Sequence, residues 1–164
     1  MNKLVVWKHL SLLSFFLVLS GCGGGGGDVA DIDICGIPTN IGTNSSAVGV
    51  LQQGDCLATD LDPDSGDNSF VDEYRITIPS SGELTITLRS ENFDALLFLV
   101  DESMTCVGGC SVEQIIAFDD DSGGGVDELD AQITINLAAG TYLILANSYA
   151  EGESGQYTLT TSFF

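Results

Sequence analysis

From residue 70 to residue 163, apolar and polar side chains alternate in short runs with a period of two. Tyr74, Ile76 and Ile78 point one way, with Arg75 and Thr77 opposite. Leu84, Ile86 and Leu88 repeat this against Glu83, Thr85, Thr87 and Arg89. Ile133, Ile135 and Leu137 form a third run, and Tyr157, Leu159 and Thr161 a fourth. Period-two spacing in β-branched and aromatic residues predicts half-buried strands. Ala95–Val100 and Thr141–Ala146 are nearly continuous apolar runs, as suits strands at the centre of a sandwich. Turn signals separate these segments at Pro79-Ser-Ser-Gly82, Ser122-Gly-Gly-Gly125 and Ala138-Ala-Gly140. A Gly-, Asn-, Ser- and Thr-rich loop precedes a first short strand around Val48–Gln52, and no stretch carries a helical period of useful length. The pattern predicts one all-β domain, an antiparallel β-sandwich, over residues 48–164.

The first residues follow a different logic. Lys3 and Lys8 precede the run Leu10-Ser-Leu-Leu-Ser-Phe-Phe-Leu-Val-Leu, which ends at the small pair Ser20-Gly21. Charged head, apolar middle and small-residue exit describe a secretory signal peptide over residues 1–21. The apolar run is well short of the ~20 residues that a spanning helix needs. Leu19-Ser20-Gly21-Cys22 resembles the bacterial lipobox. That resemblance implies removal of the signal peptide, acylation of Cys22 and membrane attachment through it, because each buried methylene contributes about 0.8 kcal/mol. Gly23–Gly27 then begins a flexible tether, and residues 22–47 are read as lipidated cysteine, tether and loop. Gly23–Asp33 reaches at most ~40 Å when extended. Gly23 stands after the cysteine where an Asp would signal retention at the inner membrane, so resemblance to enterobacterial sorting favours the outer membrane.

Loss of residues 1–21 changes the chemistry. All 24 acids lie beyond Cys22, while Lys3, Lys8 and His9 lie before it, so only Arg75 and Arg89 oppose the acids and the net charge becomes −22. Without histidine or lysine, a Ser-His-Asp or Cys-His arrangement cannot be built, nor a Schiff-base lysine, nor a histidine-ligated metal site. Nucleic acid is excluded as a partner, since phosphate binding requires clustered Lys and Arg. The acids favour solubility and hard cations with oxygen ligands; a salt-rich habitat also accounts for them, and is the plainer explanation. Arg75 and Arg89 are expected to pair with acids across strands, at little net energy.

Cys35, Cys56, Cys106 and Cys110 are an even set in an exported chain, which predicts disulfides. Of three possible pairings, Cys106-Val-Gly-Gly-Cys110 reads as one small loop, leaving Cys35 with Cys56. A four-thiol zinc site is the competing reading.

The order of motifs resembles the bacterial pre-peptidase C-terminal (PPC) domain. Its marks fall on Asp72-Glu-Tyr74-Arg-Ile76, Gly82-Glu-Leu84-Thr-Ile86, Asp94-Ala-Leu-Leu97-Phe-Leu99, Asp119-Asp120, Ala139-Gly140-Thr141-Tyr142 and Gly155-Gln-Tyr157-Thr-Leu159, covering roughly residues 70–163. The resemblance implies a jelly-roll-like sandwich of about eight strands. In that family the domain usually trails a secreted protease, and relatives bind polymers such as collagen or polysaccharide. No catalytic domain accompanies it in this sequence.

Asp60, Asp62, Asp64 and Asp67 stand within eight residues, and Asp119, Asp120 and Asp121 stand near Asp127. Alternating acids in a tight turn fit a calcium loop, although Ser65 and Val71 depart from the EF-hand pattern; the alternative is solvated turns with side-chain caps. Calcium is the candidate cofactor. Tyr74, Tyr142 and Tyr157 are expected in the core or at the sandwich edge, and Tyr149 in an exposed loop. Three functions are compatible with these residues. The first is a non-catalytic binding or accessory module of the cell envelope, with a protein or polysaccharide ligand. The others are a carboxylate-pair hydrolase acting on polysaccharide and a structural acidic lipoprotein without a specific ligand.

Overall fold

The computed structural model describes residues 35–61, 65–102, 115–125 and 129–164. The expected signal peptide, Cys22, the glycine tether, Asp62, Asp64, Asp127 and the Cys106–Cys110 pair lie outside the described residues.

Ten strands and one short helix make up the described chain. They are β1 (Thr39–Ile41), β2 (Ser45–Leu51), β3 (Cys56–Leu57), α1 (Ala58–Leu61), β4 (Phe70–Ile78) and β5 (Gly82–Ser90), then β6 (Ala95–Asp101), β7 (Ile115–Asp119), β8 (Ala131–Leu137), β9 (Gly140–Ser148) and β10 (Gly155–Phe163). One sheet runs β1-β4-β9-β6-β7, with β3 also on β4; the other runs β2-β10-β5-β8. Two sheets of alternating strands bury one face each against the other, which is the sandwich the period-two pattern predicts.

The core lies between them. Ile76, Ile78, Leu97, Leu99 and Ile144 from the first sheet meet Leu84, Ile86, Leu88, Ile133 and Leu159 from the second. Each comes from the inward set of its strand. Tyr74, Tyr142 and Tyr157 are buried among them, and Tyr149 is exposed.

Three departures from the sequence reading concern the ends of the ladder. Pairing begins at Thr39 rather than near Val48, because β1 adds to β4. That pair is parallel, in a sandwich otherwise antiparallel among the described strands. A second apolar cluster also forms on the outer side of the first sheet. Val71, Val100 and Leu145 are covered there by Cys35, Cys56, Ala58 and Leu61. This explains why β9 reads as an unbroken apolar run: both of its faces are partly packed.

Candidate functional site

The register places the connections bearing most of the acids at one end of the sandwich. Leu51 of β2 pairs with Gly155 at the start of β10, and Tyr157 pairs with Ser90 at the end of β5. Val71 near the start of β4 pairs with Asn147, and Ala95 at the start of β6 with Ser148. Turns following β2, β3, β5, β7 and β9 therefore share that end, with Asp55, Asp60, Asp67, Glu91, Asp94, Asp120, Asp121, Glu151 and Glu153 on them. Cys35 stands at the same end, since its bond to Cys56 ties it beside Val71.

Several acids singled out by spacing perform structural work. The Asp60 carboxylate accepts from Leu57 N–H at 2.9 Å, and that of Asp67 accepts from Ser69 N–H at 2.8 Å. Thr59 N–H in turn donates to the Asp67 carbonyl at 2.9 Å. These bonds close the turn around α1, as short acidic side chains commonly do beside free backbone donors. Asp119 holds the chain where it leaves β7: it accepts from Ser122 N–H, Ser122 Oγ and, across to β8, Gln132 N–H at 2.8 Å. For these three residues, the reading of turns with side-chain caps describes the geometry.

Asp120 and Asp121 have different neighbours. Both approach Asp94, which precedes β6, and Glu153, in the turn before β10, approaches Asp94 as well. One carboxylate oxygen of Asp94 and one of Glu153 are shut off from solvent without a hydrogen-bond partner. Burial pushes the Asp94 carboxyl up to about 6, and the charges of Asp121, Glu153 and Asp120 push the same way. Burial and Asp121 also raise Asp120. Unpartnered carboxylate oxygens gathered from separate loops are a donor set that fits a hard cation. Sequence spacing did not reveal it, because Asp94 and Glu153 are 59 residues apart; the Asp94 motif position was the one available hint.

A second polar group crosses the sandwich nearby. Tyr157 Oη donates to the Asp72 carboxylate at 2.5 Å, so Tyr74 Oη, 2.8 Å away, donates to Tyr157. Burial is the first cause raising both the Asp72 carboxyl and the Tyr157 hydroxyl. The raised hydroxyl of Tyr157 stays a neutral phenol and so remains the donor to Asp72.

Cys35 and Cys56 are joined as a disulfide. Glu73 lies beside them, but a disulfide offers no thiolate, so these three form no metal centre. The four-thiol zinc site is ruled out by the same bond. Arg75 of β4 pairs with Glu102, which follows β6, and Arg89 of β5 with Asp130, which precedes β8, at 3.4 Å, so both cations pair with acids across strands as expected.

No protein-family model matches the chain, and no curated protein is significantly similar to it in sequence. Solved structures are similar in fold. The pre-peptidase C-terminal domain of collagenase from Bacillus anthracis matches with 20% identity over 77% of this chain and 95% of that one, at a TM-score of 0.54. PliG of Aeromonas hydrophila, a periplasmic inhibitor of g-type lysozyme, matches with 15% identity over 77% and 96%, at 0.49. CorA of Methylomicrobium album BG8, a surface-associated copper-binding protein, matches with 9% identity over 77% and 98%, at 0.46. The chain has the β-sandwich fold of the collagenase domain.

Proposed function

We propose that this chain is a non-catalytic binding or accessory module of the bacterial cell envelope, held at the outer membrane by acyl chains on Cys22 and bound to an envelope protein or polysaccharide. One observation carries the reading: acidic loops from distant parts of the chain meet at one end of a fully packed sandwich. Such an end presents ligand groups on a rigid scaffold, as binding loops commonly do. Calcium fits Asp94, Asp120, Asp121 and Glu153 better than Asp60 and Asp67, whose carboxylates already accept backbone N–H groups. When bound there it would neutralise like charges and join the turns after β5, β7 and β9.

A carboxylate-pair hydrolase is the second reading, favoured by a raised Asp94 with further carboxyl groups beside it. Turnover of an envelope polysaccharide, lost in Asp94→Asn, would establish it in place of the first. Fractionation of cells tests the anchor. The native chain is expected in the outer-membrane pellet, with mass spectrometry showing acylated Cys22; Cys22→Ala is expected in the soluble fraction. A native chain that is soluble and unacylated overturns the anchoring.

A further inference from the structure

The outward face of the β2-β10-β5-β8 sheet is built from threonine, serine, glutamine, asparagine and valine, in a chain carrying −20 overall. Two of its outward positions are charged. They are Glu83 and Arg89, of opposite sign, near the two ends of β5, with Thr85 and Thr87 between. Six residues of strand separate them by about 20 Å.

We propose that this face docks a second copy of the same chain. The arrangement is a two-fold dimer whose axis lies in the interface and crosses the strands midway between Thr85 and Thr87. That operation lays β5 antiparallel over the partner's β5 and sets each Glu83 opposite the partner's Arg89, twice. A two-fold interface must be self-complementary, and opposite charges placed evenly about a midpoint satisfy that condition.

The same operation matches the exposed apolar groups. Phe164 exchanges backbone hydrogen bonds with Glu83 and is 82% exposed. Thr158 pairs with Arg89 and with Val48, which is 65% exposed. Reversing the strand direction therefore brings Phe164 over the partner's Val48 and Thr158. It also separates the acidic ends. Arg89 adjoins the acidic turns and Glu83 the opposite end, so an antiparallel dimer holds the two acidic ends apart, whereas a parallel one would bring them together.

Four strands at 4.8 Å spacing and seven residues in length give a face of roughly 450 Å² per copy. Standard interfaces bury about 800 Å² per partner, so the dimer is weak and concentration-dependent. The ion pairs select the orientation more than they add affinity, and the apolar contacts supply the attraction.

The test uses two differently tagged full-length copies expressed together, solubilised in excess nonionic detergent and captured through one tag. Wild-type copies are expected to co-purify. E83R with E83R, and R89E with R89E, are expected to fall at least tenfold, because each sets like charges opposite twice. E83R with R89E is expected to return to the wild-type level, since both contacts are again opposite in sign. Melting curves check that each variant folds. Should R89E melt early because an acid then adjoins Asp130, Thr158→Glu replaces it as the partner for E83R. Failure of wild-type copies to co-purify, like reversals that change nothing, or a mixed pair that does not recover overturns the proposal. Retardation of a wild-type monomer by dextran in native gels, lost in Thr160→Asp, would assign the face to a neutral glycan and overturn it equally.

Discussion

Gly49 and Tyr157 face one another across β2 and β10, and a Cβ on Gly49 would lie 2.2 Å from the Tyr157 ring. The absence of a side chain at Gly49 lets the tyrosine lie along the inner face and reach Asp72 and Tyr74 in the opposite sheet. Gly49→Ala is expected to destabilise the fold by about 1–3 kcal/mol, the usual cost of overpacking a close contact. Denaturant unfolding measures it. The loss should shrink in a Tyr157→Leu background, because the clash and the ring belong to one contact. An equal loss in both backgrounds would locate the defect elsewhere.

Alternation made most of this sandwich legible. Glu83-Leu84-Thr85-Ile86-Thr87-Leu88-Arg89 admits one reading, since a slip of one residue would bury the charges. β7 was not legible. Ile115-Ile116-Ala117-Phe118 has no polar alternate position, because Ile116 and Phe118 face outward as exposed apolar residues. Nor was β1: three residues, Thr39-Asn-Ile41, take strand form because β4 offers an unpaired edge, a tertiary cause with no local signal. The acids divide in the same way. Spacing found Asp120 and Asp121, but it also drew in Asp60, Asp67 and Asp119, whose carboxylates serve nearby N–H groups. Proximity in sequence cannot tell a ligand from a cap. Asp94 and Glu153 come to the group only through the register of β6 and β10 against their neighbours.

The Cys35–Cys56 bond closes a loop containing β1 and β2, with a sequence separation of 21. In the chain-entropy description such a loop contributes about 3 kcal/mol. Cys35→Ser with Cys56→Ser should lower stability by that order, with β1 and β2 losing protection first in hydrogen exchange. Non-reducing peptide mapping should recover Cys35 linked to Cys56 and a separate Cys106–Cys110 link. A crossed link between the two pairs would contradict the first assignment.

Calcium should raise the melting temperature at micromolar to millimolar concentration, with reversal by chelator. The rise follows from mass action on a ligand that binds the folded state alone. Asp94→Asn should abolish the rise, while Asp60→Asn should lower stability yet leave the calcium response in place, because Asp60 serves Leu57 N–H. A response lost in Asp60→Asn and kept in Asp94→Asn would move the cation to the turn around α1.

In chelator, the same carboxylates should make the protein more stable as the solution becomes mildly acid. Burial and the neighbouring charges push the Asp94 carboxyl up to about 6 in the folded protein, from an ordinary 3.8. Between those values the folded state holds more protons than the unfolded state, so stability rises as pH falls through 6 and is lost as pH climbs back. The carboxyls facing Asp94 are Asp121, Glu153 and Asp120, and each opposes its ionisation. Asp72 and Asp120 are raised as well and add in the same direction. Melting temperature measured from pH 7.5 to pH 5 should therefore increase. Asp94→Asn should raise it at pH 7.5 and flatten the trend, since the amide removes the charge while the Asp94 carbonyl, which accepts Tyr149 N–H at 2.8 Å, is unchanged. A trend of equal steepness in the variant would place the responsible protons on other acids, and a lower melting temperature at pH 7.5 would mean that the ionised carboxylate has a partner.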